Sequence, residues 1–160
     1  MVADVVWATL ALLAVTASFP FYVRGALIVL NSPFVTWAIL RRHLAYIFVG
    51  LFLTTVPVIA WMIPRLFDQL GGYAAIHAIV GIQAYALLAF AFTGIVPIFR
   101  AKRRHDLYRD PDPDMALDDI HPDIGMWRTR LRIGVFGYLF CWIIAYVLGV
   151  MRYLIRYRII

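Results

Sequence analysis

Four stretches of this chain, residues 5–23, 44–64, 78–99 and 133–151, contain no Asp, Glu, Lys, Arg or His. Each is about as long as the roughly 20 helical residues that a bilayer core of about 30 Å requires. Strands of a membrane barrel would alternate apolar and polar residues, and these runs do not. A soluble domain is about half apolar and a quarter charged, whereas this chain is 64% hydrophobic and 15% charged. The expected fold is therefore all-α, a polytopic integral membrane four-helix bundle. One domain over residues 1–160 is expected, with spans at about 4–30, 34–65, 73–99 and 127–155 and a polar loop at 100–126. Residues 1–23 hold no Lys or Arg, so a signal peptide's positive n-region is missing and the first helix is expected to be retained.

Charge sets the orientation. Eleven of the fifteen basic residues, from Arg24, Arg41 and Arg42 to Arg128, Arg130 and Arg132, fall on the side reached after the first run. The positive-inside rule makes that side cytoplasmic. Segments 24–43 and 100–132 then lie on the cytoplasmic side of the cell membrane, and both termini lie on its outer side. Arg65, Arg152, Arg156 and Arg158 are the exceptions. The net charge of +6 thus serves topology, and no nucleic acid partner is expected.

Local signals shape the helices. In NSP at 31–33, Ser32 is a candidate N-cap and Pro33 suits a first helical turn, which starts the second helix at Pro33. The apolar tip FVTWAIL would then project as an interaction surface. Pro20 and Pro57 each remove a backbone donor, so kinks are expected there. The third helix is rich in Ala and Gly, which allows close helix approach in lipid. Gln83, inside that run, is expected to bond another helix. The lone cysteine, Cys141, excludes an intramolecular disulfide and reads as a small packing residue.

The candidate ligands are His43, His77, His105 and His121. Imidazole suits haem iron, and a buried porphyrin needs apolar walls and room beside a helix. Gly81 follows His77 by four residues, Gly125 follows His121 by four, and Gly50 follows His43 by seven. His43 and His77 open their runs from opposite sides, about 30 Å apart, so they cannot share one haem. His43 with His121 is the best pair, His105 is a substitute for His121, and His77 has no histidine partner on its side. Haem b is the cofactor these residues favour, ahead of a zinc site on His105 and His121 or a quinone carbonyl on His77, and none of the three is required by the sequence.

Other chemistries find little support. The apolar runs hold no Asp, Glu or Lys, which a pump or channel would want there. DPDPDMALDD has Asp110, Asp112 and Asp114 at alternate positions, but Met115 stands where a calcium loop wants Gly and His121 where it wants Glu. No nucleophile–base pair or phosphate loop is present, so side-chain catalysis is not expected.

RRHL precedes the second run, IHAIVG opens the third, RAKRRH follows it, and HPDIGMWRTRLRIGVFGY leads into the fourth. With these segments the chain resembles small four-helix membrane proteins linked to haem–copper oxidase assembly, and more loosely transmembrane b-type cytochromes. With VPVIAWMIPRLFDQLGG and QAYALLAFAFTGI it is similar to an uncharacterised four-span membrane protein family of halophilic archaea. The resemblance implies haem or assembly roles for His43, His77, His105 and His121. The expected function is an accessory or assembly subunit of a respiratory-chain complex, partnered by lipid and by other subunits. The alternatives are a haem b electron carrier exchanging electrons with quinone, and a cofactor-free structural bundle that self-associates.

Overall fold

The computed structural model describes residues 2–66, 71–112, 115 and 117–158. The elements are α1 (Val2–Leu30), α2 (Trp37–Pro57), α3 (Tyr73–Arg104), the single turn α4 (Leu117–Ile120) and α5 (Ile124–Arg156). A π-helical turn, Val58–Met62, and a 3-10 turn, Ile63–Arg65, prolong α2. Among the described residues there is no strand. Four helices are long and apolar enough to cross a membrane: Ala3–Leu30, Trp37–Arg65, Ala74–Arg104 and Ile124–Arg156. The chain has the all-α, four-span character expected of a multi-pass membrane protein.

The helix ends differ from expectation in instructive ways. Ser32 does not start α2. Its hydroxyl donates to the Ile28 carbonyl at 2.6 Å, so it closes the end of α1. Helix α2 begins at Trp37, whose N–H donates to the Tyr108 carbonyl at 3.0 Å. A long-range partner thus satisfies one of the orphan donors of a helix N-terminus. Helix α1 passes Pro20 without a break. Pro57 is where α2 changes winding, into the π-turn that follows it. The missing proline N–H frees a carbonyl, and a local change of winding is one way to satisfy it.

Helix α3 runs on through RAKRR to Arg104, beyond the expected end near Phe99. Lys and Arg are good helix formers and favour a helix C-terminus. Asp106 then adopts φ 53°. The Asp106 N–H donates to the Arg103 carbonyl and the Leu107 N–H to that of Lys102. This is a Schellman ending with aspartate in the left-handed position usually held by glycine.

The chain divides into two compact units. The first comprises Met1–Pro33, Ala38–Ala78 and Ala145–Ile160. Here α1 runs antiparallel to α2, with Phe21 on Tyr46 near one end and Trp7 on Trp61 near the other. The end of α5 returns along α1. Polar ties join these helices inside apolar surroundings: Thr9 to Tyr153 at 2.7 Å, Thr16 to Tyr146 at 3.0 Å and Tyr22 to Thr54 at 3.0 Å. Each such bond contributes about 0.6 kcal/mol in a membrane protein.

The second unit comprises Phe34–Trp37 and Ile79–Ile144. In it α3 and α5 are antiparallel and very close. A Cβ added at Gly134 would meet the Ala91 backbone at 2.6 Å, and one at Gly94 would meet the Leu131 nitrogen at 2.7 Å. Buried positions Ala84, Ala91, Ile98 and Ala101 on α3 keep one face towards α5, which buries Ile124 and Tyr138. Spacings of three, four and seven keep such residues on one side of a helix. Small side chains allow contact at this range in lipid, where dispersion must replace the hydrophobic effect.

Near the end of α3 the rings of Trp37, Phe99 and Tyr108 form a cluster, with centroids 5.2 to 5.8 Å apart. Trp37 belongs to the tip expected to project, and it folds inward here instead. Burial pushes the Tyr108 phenol up from its ordinary value. An unfolded tyrosine titrates near pH 10. The stability from the neutral buried phenol is therefore complete below about pH 10. It is lost as pH rises through the raised folded value. Tyr108→Phe should lose less stability than wild type on going to alkaline pH in a denaturation series. Identical alkaline losses in both proteins would refute this.

Candidate functional site

Helix α2 carries His43 into the first unit, where its Nδ1 lies 2.8 Å from the Gly25 carbonyl of α1. A carbonyl only accepts, so Nδ1–H is the donor. Gly25 makes this approach possible, because a Cβ there would lie 2.8 Å from Ile47 and 3.3 Å from Tyr46. Sequence reasoning passed over Gly25. Its only signal was a glycine beside Arg24 inside a helix.

His77 lies near the start of α3, with its ring against Gly149 of α5. A Cβ at 149 would be 3.3 Å from Nε2. His105 is exposed and directly follows α3, with its N–H on the Ala101 carbonyl. His121 opens the approach to α5. Its Nδ1 accepts the Asp123 N–H at 3.1 Å, and its ring lies 4.5 Å from that of Trp127. Accepting at Nδ1 leaves the proton of a neutral ring on Nε2, so His121 serves as a helix-start cap. The HPD sequence before a helix was the available sign, since proline suits a first turn.

Among the described residues no histidine is the hydrogen-bond or ring partner of another. His43 and His77 belong to the first unit, and His105 and His121 to the second. No group of three His, Cys, Asp or Glu side chains is placed to hold a metal ion among the described residues. Asp114 of the calcium-like run lies outside them.

The spaced glycines also resolve differently. At Gly50 the room is filled by the Tyr22 ring, 2.9 Å from an added Cβ. Beside Gly81 and Gly125 nothing lies within 4 Å, so both border open space. The glycines that meet histidines are Gly149, against the His77 ring, and Gly25, whose carbonyl bonds His43; each lies on a different helix from its histidine, so spacing along one helix does not single them out.

Two other features stand out. At one end of the first unit the Arg65 guanidinium lies 3.5 Å over the Trp61 ring and 3.4 Å from the Asp4 carboxylate. On α3, Gln83 is exposed and makes no hydrogen bond among the described residues. It was expected to bond another helix, and within this chain it faces outward.

One family, described as a domain of unknown function (DUF7321), matches residues 4–158, nearly the whole chain. The chain belongs to the DUF7321 family. The match takes in all four apolar helices and the loop between α3 and α5, so every histidine and Gln83 are family territory. No curated protein and no solved structure matches.

Proposed function

We propose that this DUF7321 chain is a non-catalytic subunit of a membrane complex, an accessory or assembly component of a respiratory chain. It sits in the cell membrane with both termini outside. Gln83 carries the binding role. It lies about 13 Å along α3 from Ala74 at 1.5 Å per residue, inside an apolar span. An unpartnered amide in hydrocarbon costs several kcal/mol, and a helix of another subunit can supply its partner. Ile79, Ala86 and Phe90 share its outward face, and Ala86 leaves room for a close approach. The respiratory setting draws its support from the resemblance of the histidine-bearing segments to oxidase-assembly proteins.

The test is extraction in mild detergent followed by native electrophoresis. Wild type should migrate with respiratory subunits, and Gln83→Leu should release most of it as free chain. Free wild-type chain alone, with respiration unchanged on deletion, would refute the proposal. An assembly made only of this chain would replace the respiratory partner by self-association.

The His43 geometry favours a second reading, a haem b carrier. A ligating histidine commonly donates its other ring nitrogen to a backbone carbonyl, as His43 does to Gly25. His121 fits the role of second ligand poorly, because its Nδ1 is taken by Asp123. A reduced-minus-oxidised spectrum decides. Sharp α and β bands lost in His43→Ala would establish this reading, and a flat spectrum after expression with ample haem would exclude it.

A further inference from the structure

Lys102 is the single lysine among the fifteen basic residues, and it stands near the end of α3 in the second unit. Arg128 stands near the start of α5 in the same unit. Gly94 meets Leu131 and Gly134 meets Ala91, so each step towards the end of α3 is a step back along α5. Position 97 is then level with Arg128, and Lys102 lies about 7 Å further on at 1.5 Å per residue. Ala101 is buried on the face of α3 towards α5, and the Trp127 carbonyl of α5 lies against Gly94. Lys102 and Arg128 each come one residue after these contacts. On antiparallel helices that single step turns both side chains to the same flank of the pair. The two cations therefore share one flank, one on each helix, and the charge of Arg128 acts on Lys102.

Both side chains are half-buried. Among the described residues neither forms an ion pair; Asp106 faces Arg109, and Asp123 lies beside His121. Withdrawing a charge from water is costly unless an opposite charge compensates it, and here two like charges stand side by side. The end of α3 favours a cation, but the start of α5 favours an anion. Arg128 thus stands where its own helix supports it least. Lys102 is three residues past Phe99, where one uncharged run ends, and Arg128 is five before Ile133, where another begins. Both lie about 4 to 8 Å beyond the apolar runs, within the headgroup layer that borders a bilayer core.

Two cations at that depth, one from each wall of a helix pair, suit a phosphate held between them. Basic pockets between membrane helices take anionic headgroups in this way. A lipid phosphate is confined to this layer, whereas a free phosphate is not. A zwitterionic headgroup would bring its own cation towards the pair. We propose that Lys102 of α3 and Arg128 of α5 together clasp the headgroup phosphate of one anionic phospholipid. The site needs no partner subunit, so it stands or falls apart from the respiratory reading.

Native mass spectrometry of the full chain, released from detergent with added phosphatidylglycerol or phosphatidylcholine, tests this. Wild type should keep one phosphatidylglycerol at least about tenfold more tightly than phosphatidylcholine, the scale expected of two basic residues near an anionic surface. Lys102→Gln with Arg128→Gln should abolish the preference, and Lys102→Arg with Arg128→Lys should keep most of it. Arg103→Gln with Arg104→Gln removes the same charge from exposed positions close by and should also keep most of it. Equal retention of the two lipids by wild type, or an unchanged preference in the Lys102 and Arg128 glutamine variant, would overturn the proposal. An equal loss in the Arg103 and Arg104 variant would overturn it too, by reducing the preference to diffuse charge. A readout on wild type alone guards against a variant that fails to fold. Phosphatidylglycerol should raise the thermal midpoint, and phosphatidylcholine and inorganic phosphate should not. A rise with inorganic phosphate would reassign the two cations to a free anion. A rise with neither lipid, or equally with both, would remove the lipid site.

Discussion

Gly134→Ala should lower the stability of the folded chain by about 3 kcal/mol, at the upper end of the usual cost of overpacking. The added methyl meets backbone. The three nearest atoms all belong to Ala91, each at 2.6 Å. A flexible side chain could swing away, but a helix backbone cannot, so α3 and α5 must separate along their shared face. Gly94→Ala should act similarly, since its Cβ would collide with the Trp127 carbonyl and the Leu131 nitrogen. The controls are Gly81→Ala and Gly125→Ala, where nothing lies within 4 Å. Alanine is favoured over glycine in a helix by about 1 kcal/mol, so these should be neutral or mildly stabilising. Denaturant titration in detergent, followed by circular dichroism, separates the two groups. If Gly134→Ala unfolds together with the controls, the close approach of α3 and α5 is wrong.

Trp37→Ala should cost about 3 kcal/mol, near the low end for removing a large aromatic, because the indole is only partly covered. It removes the ring that contacts both Phe99 and Tyr108. The backbone bond from residue 37 to the Tyr108 carbonyl would survive the substitution, so the start of α2 should remain tethered while the cluster loosens. Trp37→Phe should retain about half the loss. Tryptophan fluorescence is a poor probe here because the chain has five tryptophans. Limited proteolysis in the 105–112 segment reports directly, and faster cleavage in Trp37→Ala is expected. Unchanged cleavage and unchanged stability would show that the tip is held by something other than this indole.

The apolar runs made the helices legible, because a segment with no charge over a bilayer's thickness has few alternatives. The ends were harder to read. Ser32 looked like a cap for the following helix and instead closes the preceding one, since the same hydroxyl can serve either side of a short connection. Asp106 in a Schellman ending was hidden because aspartate gives no sign of a left-handed backbone where glycine would. Tyr108 could have been suspected as an aromatic in a loop otherwise full of Asp and Arg, but its partner Trp37 lies on a distant segment. The candidate site was legible as a set of residues and not as an arrangement. The glycine rule pointed along each helix from its histidine, whereas Gly149 and Gly25 meet histidines from across the helix pair.

The bond from Trp37 to the Tyr108 carbonyl also bears on biogenesis. The partners of Trp37 emerge from the ribosome only after the whole of α3 has been made. At about 5–20 residues per second, the start of α2 waits on the order of several seconds for them. Over that interval the first hairpin rests in the bilayer with its tip unanchored. A stalled nascent chain ending before Phe99 should therefore leave that tip open to protease, and one extended past Tyr108 and clear of the ribosome should close it.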